Sequence, residues 1–215
     1  KLAPRDLQAM LALQHEVTLG LPVGFVRPKT EQELLPYVDG TRGGAYGIFE
    51  AGALSSMALL RIPNAKQPNQ GPSFPKVPAA DWPLHTAFLE NALVAPHARG
   101  RGRQRALVDA RLAHASVAGM RWVCAGVHLG NVASWSNLLA RGMVMVGSRR
   151  EDGGYSLVAL LKALDANALP LDASDQQEAP MHDVFAHQDL LQSGYVGVRL
   201  APPGSVVYQR CLLSG

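Results

Sequence analysis

The chain has 215 residues, 47% of them hydrophobic, which is enough for one sizeable core or one domain with an appendage. Its formal net charge of +3 is mildly basic, with no basic tail or charge block of the kind that marks a nucleic-acid-binding arm. No apolar run approaches the roughly 18 residues of a membrane span, and Cys124 and Cys211, far apart and at no metal or redox spacing, read as reduced thiols of a cytoplasmic protein without a metal site.

The start, KLAPRDLQAML, reads as an amphipathic helix rather than a signal peptide. Leu7, Met10, Leu11, Leu13 and Val17 fall at helical spacing over 4–18. Thr30 and Glu33 form a capping box, so a second helix starts there and ends near Gly40. AYGIFEAGALSSMALLRI, 45–62, reads as two strands joined by a tight turn at Ala51-Gly52. Six prolines in 63–83 exclude a regular element, and a loop this long reads as a lid or as a disordered excursion.

HTAFLENALVAP, 85–96, is a strand stopped by Pro96. A helix follows over 103–118, with Ala106, Leu107, Ala110, Ala113 and Val117 expected on its buried face and Gly119 at its end. RWVCAGVHL, 121–129, is a buried strand; NVASWSNLLARG, 131–142, is a short helix. MVMVGS and YSLVALL are strands around a turn at Gly153-Gly154. This order predicts an α/β fold with at least one parallel crossover. Residues 165–182 are polar and read as a linker. Residues 183–214 read as a helix and two strands, an extension packed on the main sheet or on a second copy of the chain.

Arg99, Arg101, Arg103 and Arg105 alternate through APHARGRGRQRAL, at the start of a helix whose dipole is already positive. Gly100 and Gly102 let backbone approach a ligand, and the first helix amides have no internal acceptor, so the stretch is an anion site suited to phosphate. Neither a Walker loop nor a dinucleotide fingerprint is present. A solvated surface turn is the plain alternative.

VAPHARGRGRQRAL resembles the acyl-coenzyme A loop of the GNAT superfamily of acyltransferases, whose usual pattern is Arg/Gln-x-x-Gly-x-Gly/Ala. VHLGNVASWSNLLARGMVMVG is similar to the family's fourth motif, on Asn131, Ser134, Gly142 and Met143. The likeness covers about 86–161 and extends back to residue 4. It implies a mixed, mostly antiparallel central sheet splayed between two strands and flanked by helices; it does not cover 165–215, whose own pattern gives a C-terminal α+β extension. The expected division is 1–164 for the acyltransferase domain, on the resemblance, and 165–215 for the linker and extension, on their residue pattern. Acetyl-CoA, or another acyl-CoA, would be the co-substrate. Its pantetheine arm would lie between strands 86–95 and 122–128 against the backbone of Leu93 and Val94. Its pyrophosphate would sit on Arg99, Gly100, Arg101, Gly102, Arg103, Gln104 and Arg105, with Asn131 and Ser134 near the thiol end. Two departures stand out: Gln104 replaces the final Gly or Ala of the loop, and Leu138 stands where the family often has a tyrosine acid.

Acyl transfer to an amine needs a base, an oxyanion donor and alignment of two substrates. Glu90, at even spacing from Val94 and so expected on its strand face, is the first candidate base. His128 and Ser134 are the other catalytic candidates; Glu90 also reads as a surface carboxylate and His128 as a loop histidine. His85 and His97 have weaker claims. Cys124 reads as core packing. The acceptor would be a small-molecule or peptide amine. A homodimer is the expectation where the C-terminal strands pair with an edge strand of a second copy. Two other readings stay open: a module of the same fold that binds acyl-CoA with little turnover, and, at a greater distance, a nucleic-acid binder using the arginine loop.

Overall fold

The computed structural model describes residues 1–22, 24–68, 82–165 and 168–212. A short turn over Pro4–Asp6 leads into α1 (Leu7–Thr18), which buries Leu7, Met10, Leu13 and Val17 as their spacing predicts. α2 (Glu31–Val38) opens on the expected capping box: Glu33 N–H donates to Thr30 Oγ1, and Thr30 N–H donates to the Glu33 carboxylate. β1 (Gly43–Glu50) and β2 (Ala53–Arg61) flank a two-residue turn in which Ala51 and Gly52 both take positive φ, 48° and 83°. That geometry matches the twist of a hairpin.

A single turn, α3 (Trp82–His85), precedes β3 (Thr86–Val94). It places Pro83 inside a helical turn, against the expectation that 63–83 holds no regular element; proline fits there because the first turn needs no N–H. Residues 69–81, the centre of the expected lid, lie outside the described residues. Next come α4 (Arg103–Val117), β4 (Trp122–His128), α5 (Val132–Leu139), β5 (Val144–Arg150) and β6 (Ser156–Ala163). The chain ends in β7 (Leu171–Pro180), α6 (Val184–Gln192), β8 (Tyr195–Ala201) and β9 (Ser205–Cys211).

All nine strands form one sheet in the order β1-β2-β3-β4-β6-β5-β8-β9-β7. Its described pairings are antiparallel except β3 with β4. The mixed, mostly antiparallel sheet expected from the resemblance is therefore present. α1 and α2 share a core with Met57, Leu59 and Leu93. α4 and α5 share another with Leu60, Leu89, Val123 and Leu160. Leu59 and Leu60 are neighbours in β2, so alternation sends these two cores to opposite faces.

Two expectations are corrected. The polar stretch read as a linker contains β7, an edge strand paired with β9 and mostly solvent-facing, which is why it lacks an apolar pattern. Its neighbours β8 and β9 find their partners within the chain's own sheet, β8 meeting β5 at Met145 and Gly197. On α4, the buried residues are Leu107, Val108, Arg111 and Ala115, whereas Ala106, Ala110, Ala113 and Val117 are exposed. Small alanines tolerate either environment, so they misplaced the stripe, and a buried arginine carries no apolar signal.

Candidate functional site

The site begins where two strands part. β3 and β4 pair only over Thr86–Phe88 and Trp122–Cys124. Beyond that, β3 follows β2 to Val94 while β4 follows β6 to His128. The cause lies in β3. Leu59 pairs with Glu90 and Met57 with Leu93, so β3 carries one extra residue, and Asn91 takes φ 40°. Such a bulge bends its strand and increases its twist. It also breaks the alternation on which Glu90 and Val94 were expected to share a face. Glu90 instead reaches Tyr37, whose core also holds Leu93, an odd spacing away.

The wedge holds two adjoining clefts. One, of about 300 Å³, is lined by residues that include Glu90, Arg111, Gly126, His128 and Asn131. The other, of about 440 Å³, runs along Leu93 and Val94 to the arginine loop. Gln104, Asn131 and Ser134 line both.

The loop is built as its glycines suggest. Gly100 and Gly102 take φ 75° and 72°, and a Cβ on either would meet nothing within 4 Å. Gly102 is the N-cap of α4 and supplies no side-chain cap, so the amides of Arg103, Gln104 and Arg105 lack intrahelical acceptors. An anion fits this cradle. The alternating arginines do not all serve it. Arg103 ion-pairs with Glu50 at the end of β1, and Arg101 lies 4.0 Å from the same carboxylate. Part of the positive charge is thus neutralised within the protein, by a residue that sequence reasoning did not connect to the loop. Arg99 Nε donates to the Val94 carbonyl at 3.4 Å.

A chain of side-chain bonds joins the first turn of α4 to the first two turns of α5. Arg105 Nε donates to Asn137 Oδ1 (2.8 Å), Asn137 Nδ2 to Gln104 Oε1 (2.9 Å), and Gln104 Nε2 to Ser134 Oγ (2.9 Å). Asn131 caps α5 by accepting the Ser134 N–H. With its oxygen accepting from Gln104, Ser134 keeps its own hydroxyl proton to donate.

The three catalytic candidates differ in what they are free to do. Glu90 accepts from Tyr37 (2.9 Å) and pairs with Lys29 (3.2 Å) and Arg61 (2.8 Å). Burial pushes its pKa up, but the two cations and the phenol outweigh that and hold it below the ordinary carboxylate value. His128 stacks on Tyr155 and packs against Phe25. Its Nδ1 accepts the Gly130 N–H at 2.9 Å, so the neutral ring carries its proton on Nε2. Burial lowers its pKa and favours that neutral form. Of the weaker candidates, His85 lies in the turn of α3 and His97 in the short turn Pro96–Ala98, neither lining these two clefts. Cys124 is fully buried in the core, as expected. Leu138 is buried and lines the first cleft, so no acid stands at that position.

Arg111 was missed by sequence reasoning. It is 1% exposed and lines the first cleft. Its guanidinium donates to the carbonyls of Leu107, Leu59 and Glu90. Burial pushes its pKa down to about 9, so it stays cationic at neutral pH.

No family model and no curated protein sequence matches the chain. Solved structures do. Ribosomal-protein-alanine N-acetyltransferase from Brucella melitensis aligns at 20% identity and TM-score 0.59, covering 75% of this chain and 96% of its own. An acetyltransferase of the GNAT family from Streptococcus pneumoniae aligns at 15% identity and TM-score 0.57, covering 75% and 95%. The protein yncA from Salmonella typhimurium, solved with its cofactor acetyl-CoA, aligns at 18% identity and TM-score 0.59, covering 80% and 96%. The chain has the GNAT fold. No described helix is long and apolar enough to cross a membrane.

Proposed function

We propose that the chain is an acyl-CoA-dependent N-acyltransferase that moves an acetyl group from acetyl-CoA to a primary amine of a small molecule or peptide by direct attack. The observation that carries this reading is the β3–β4 wedge ending on a glycine cradle with unsatisfied helix amides. The amides of residues 100–105 hold the pyrophosphate, aided by the arginines. The pantetheine follows the β3 edge at Leu93 and Val94. Asn131 and Ser134 meet the thioester end.

In the reaction, the amine nitrogen attacks the thioester carbonyl carbon, the C–S bond breaks, and the thiolate leaves. His128 donates its Nε2 proton as a hydrogen bond to the oxygen or sulfur that gains charge. Ser134 is a second donor. The amine proton passes to water. Glu90, ionised and shared by two cations, is a poor proton acceptor and acts mainly by holding Lys29 and Arg61 at the wedge. Much of the rate comes from alignment of the two substrates.

The test is a calorimetric titration with acetyl-CoA and with an analogue lacking its phosphates. The expected result is binding that requires the phosphates, followed by turnover with an amine panel; absence of binding to both ligands would sink the reading. Buried Leu138, in the place of an acid, supports a second reading, a module that binds acyl-CoA tightly and turns over little. It is distinguished by binding without turnover across the panel.

A further inference from the structure

The first cleft ends against an uncompensated cation. Among the described residues Arg111 bonds only to backbone carbonyls, and its Nη2 has no hydrogen-bond partner. Lys29 and Arg61 stand by the same stretch of β3 and share the single carboxylate of Glu90. Arg111, Lys29 and Arg61 bring three positive charges; Glu90 brings one negative. Glu90 is also the one acid among the described residues that line this cleft.

Burying an ion without a counter-charge is costly, and carbonyl partners offset only part of that cost. A helix of this kind is served as well by an apolar residue at position 111. An arginine kept there, sealed from bulk water yet lining the cleft, is suited to an incoming anion, with which it would pair in a low-dielectric setting. That anion is not a coenzyme phosphate. The phosphate cradle at Gly100 and Gly102 lines the second cleft, whereas Arg111 lines the first. Among the other polar residues lining the first cleft, Asn91, Gln104, Asn131, Ser134 and His128 are neutral, and the cation Arg27 is already paired with Glu33, so Arg111 is the lining cation that lacks a carboxylate.

We infer that the first cleft takes a substrate bearing a carboxylate, with Arg111 as its partner. This rests on the acyltransferase reading, under which the thioester end lies in that cleft. The carboxylate belongs either to the far end of the acyl group or to the acceptor amine, and the experiment separates the two.

Wild type, Arg111→Met and Arg111→Lys are first titrated with coenzyme A, which tests the acyltransferase reading alone and reports folding of the variants. Succinyl-CoA is then compared with butyryl-CoA. With acetyl-CoA held constant, alanine is compared with alaninamide. The expected result is that wild type favours the carboxylate member of one pair by about tenfold or more, as for a hydrogen bond to a charged group. The preference disappears in Arg111→Met, survives in part in Arg111→Lys, and coenzyme A affinity is unchanged. The pair that discriminates identifies the source. If coenzyme A binds and wild type discriminates neither pair, or if the preference survives in Arg111→Met, the inference is overturned. The wild-type comparison needs no variant, so misfolding of Arg111→Met does not remove the test. If coenzyme A does not bind, succinate is titrated against succinamide. Binding of succinate alone, and only by wild type, upholds the anion site; binding of neither overturns it.

Discussion

Gln104 Nε2 donates to Ser134 Oγ at 2.9 Å, across 30 residues of sequence, and so ties the first turn of α4 to the first turn of α5. Gln104 is also the residue that departs from the loop pattern of the resembled family. Its amide side chain accepts from Asn137 on the far side. The departure therefore brings a cross-brace between the two helix N-termini that frame the second cleft. Replacing Gln104 by Ala removes both bonds. The expected cost is about 1 kcal/mol per hydrogen bond at most, measured by urea unfolding. Gln104→Ala also restores the Gly or Ala of the family pattern and keeps the backbone amide, so the expected fall in affinity for acetyl-CoA, read by calorimetry, reports the loss of the brace.

Glu50 competes with the ligand for the arginine loop. It holds Arg103 and lies near Arg101. In Glu50→Gln these side chains are released to a phosphate. The variant is expected to bind acetyl-CoA more tightly, with a steeper loss of affinity as salt rises. Stability should change by less than about 1 kcal/mol, since partly exposed ion pairs contribute little. Calorimetry at two salt concentrations checks both parts, and weaker binding would count against the competition.

Gly102→Ala separates backbone conformation from ligand approach. The site has open space for a methyl, so the folding cost is only that of φ 72°, about 1–2 kcal/mol. A methyl there stands where an anion must come close to the helix amides. Acetyl-CoA affinity is therefore expected to fall by about tenfold or more, the scale of lost charge-assisted bonds. Equal losses in binding and stability would point to a general loosening of the loop.

His187 predicts how the C-terminal strands respond to acid. It is fully buried, its Nε2 lies 3.1 Å from the Met181 carbonyl, and its Nδ1 lies 2.7 Å from Tyr208 Oη. Burial lowers its pKa, and the Met181 carbonyl opposes this without overcoming it. The folded state thus keeps a neutral ring, while the unfolded state takes up a proton below its usual pKa of about 6.5. Stability from this group is complete above about that pH and is lost as pH falls below it. Urea unfolding between pH 5 and pH 8 (about the range in which a histidine titrates) should show an acid limb in wild type that flattens in His187→Gln.

Much of the architecture was legible in local signals, because those signals are themselves backbone chemistry. Thr30 and Glu33 satisfy each other's orphan amides three residues apart. Ala51-Gly52 and Gly100-x-Gly102 supply positive φ where the chain must turn. The apolar spacing of α1 reports the face it buries. From such features the chain by itself determined the elements as far as β6 apart from α3, and an α/β order with a parallel crossover; the splayed mixed sheet was expected from the family resemblance. β7 escaped because an exposed edge strand needs no apolar alternation.

Only the tertiary structure decided the electrostatics of the site. The bulge at Asn91 depends on how β3 must run between β2 and β4, and it changed which face Glu90 occupies. Glu50 and Arg103 are 53 residues apart, as are Tyr37 and Glu90, and Arg111 meets Leu59 across 52. A charged side chain has no periodicity that announces its partner. Which cations find a carboxylate, and which one is left buried without one, follows from where the strands and helices bring them together in space.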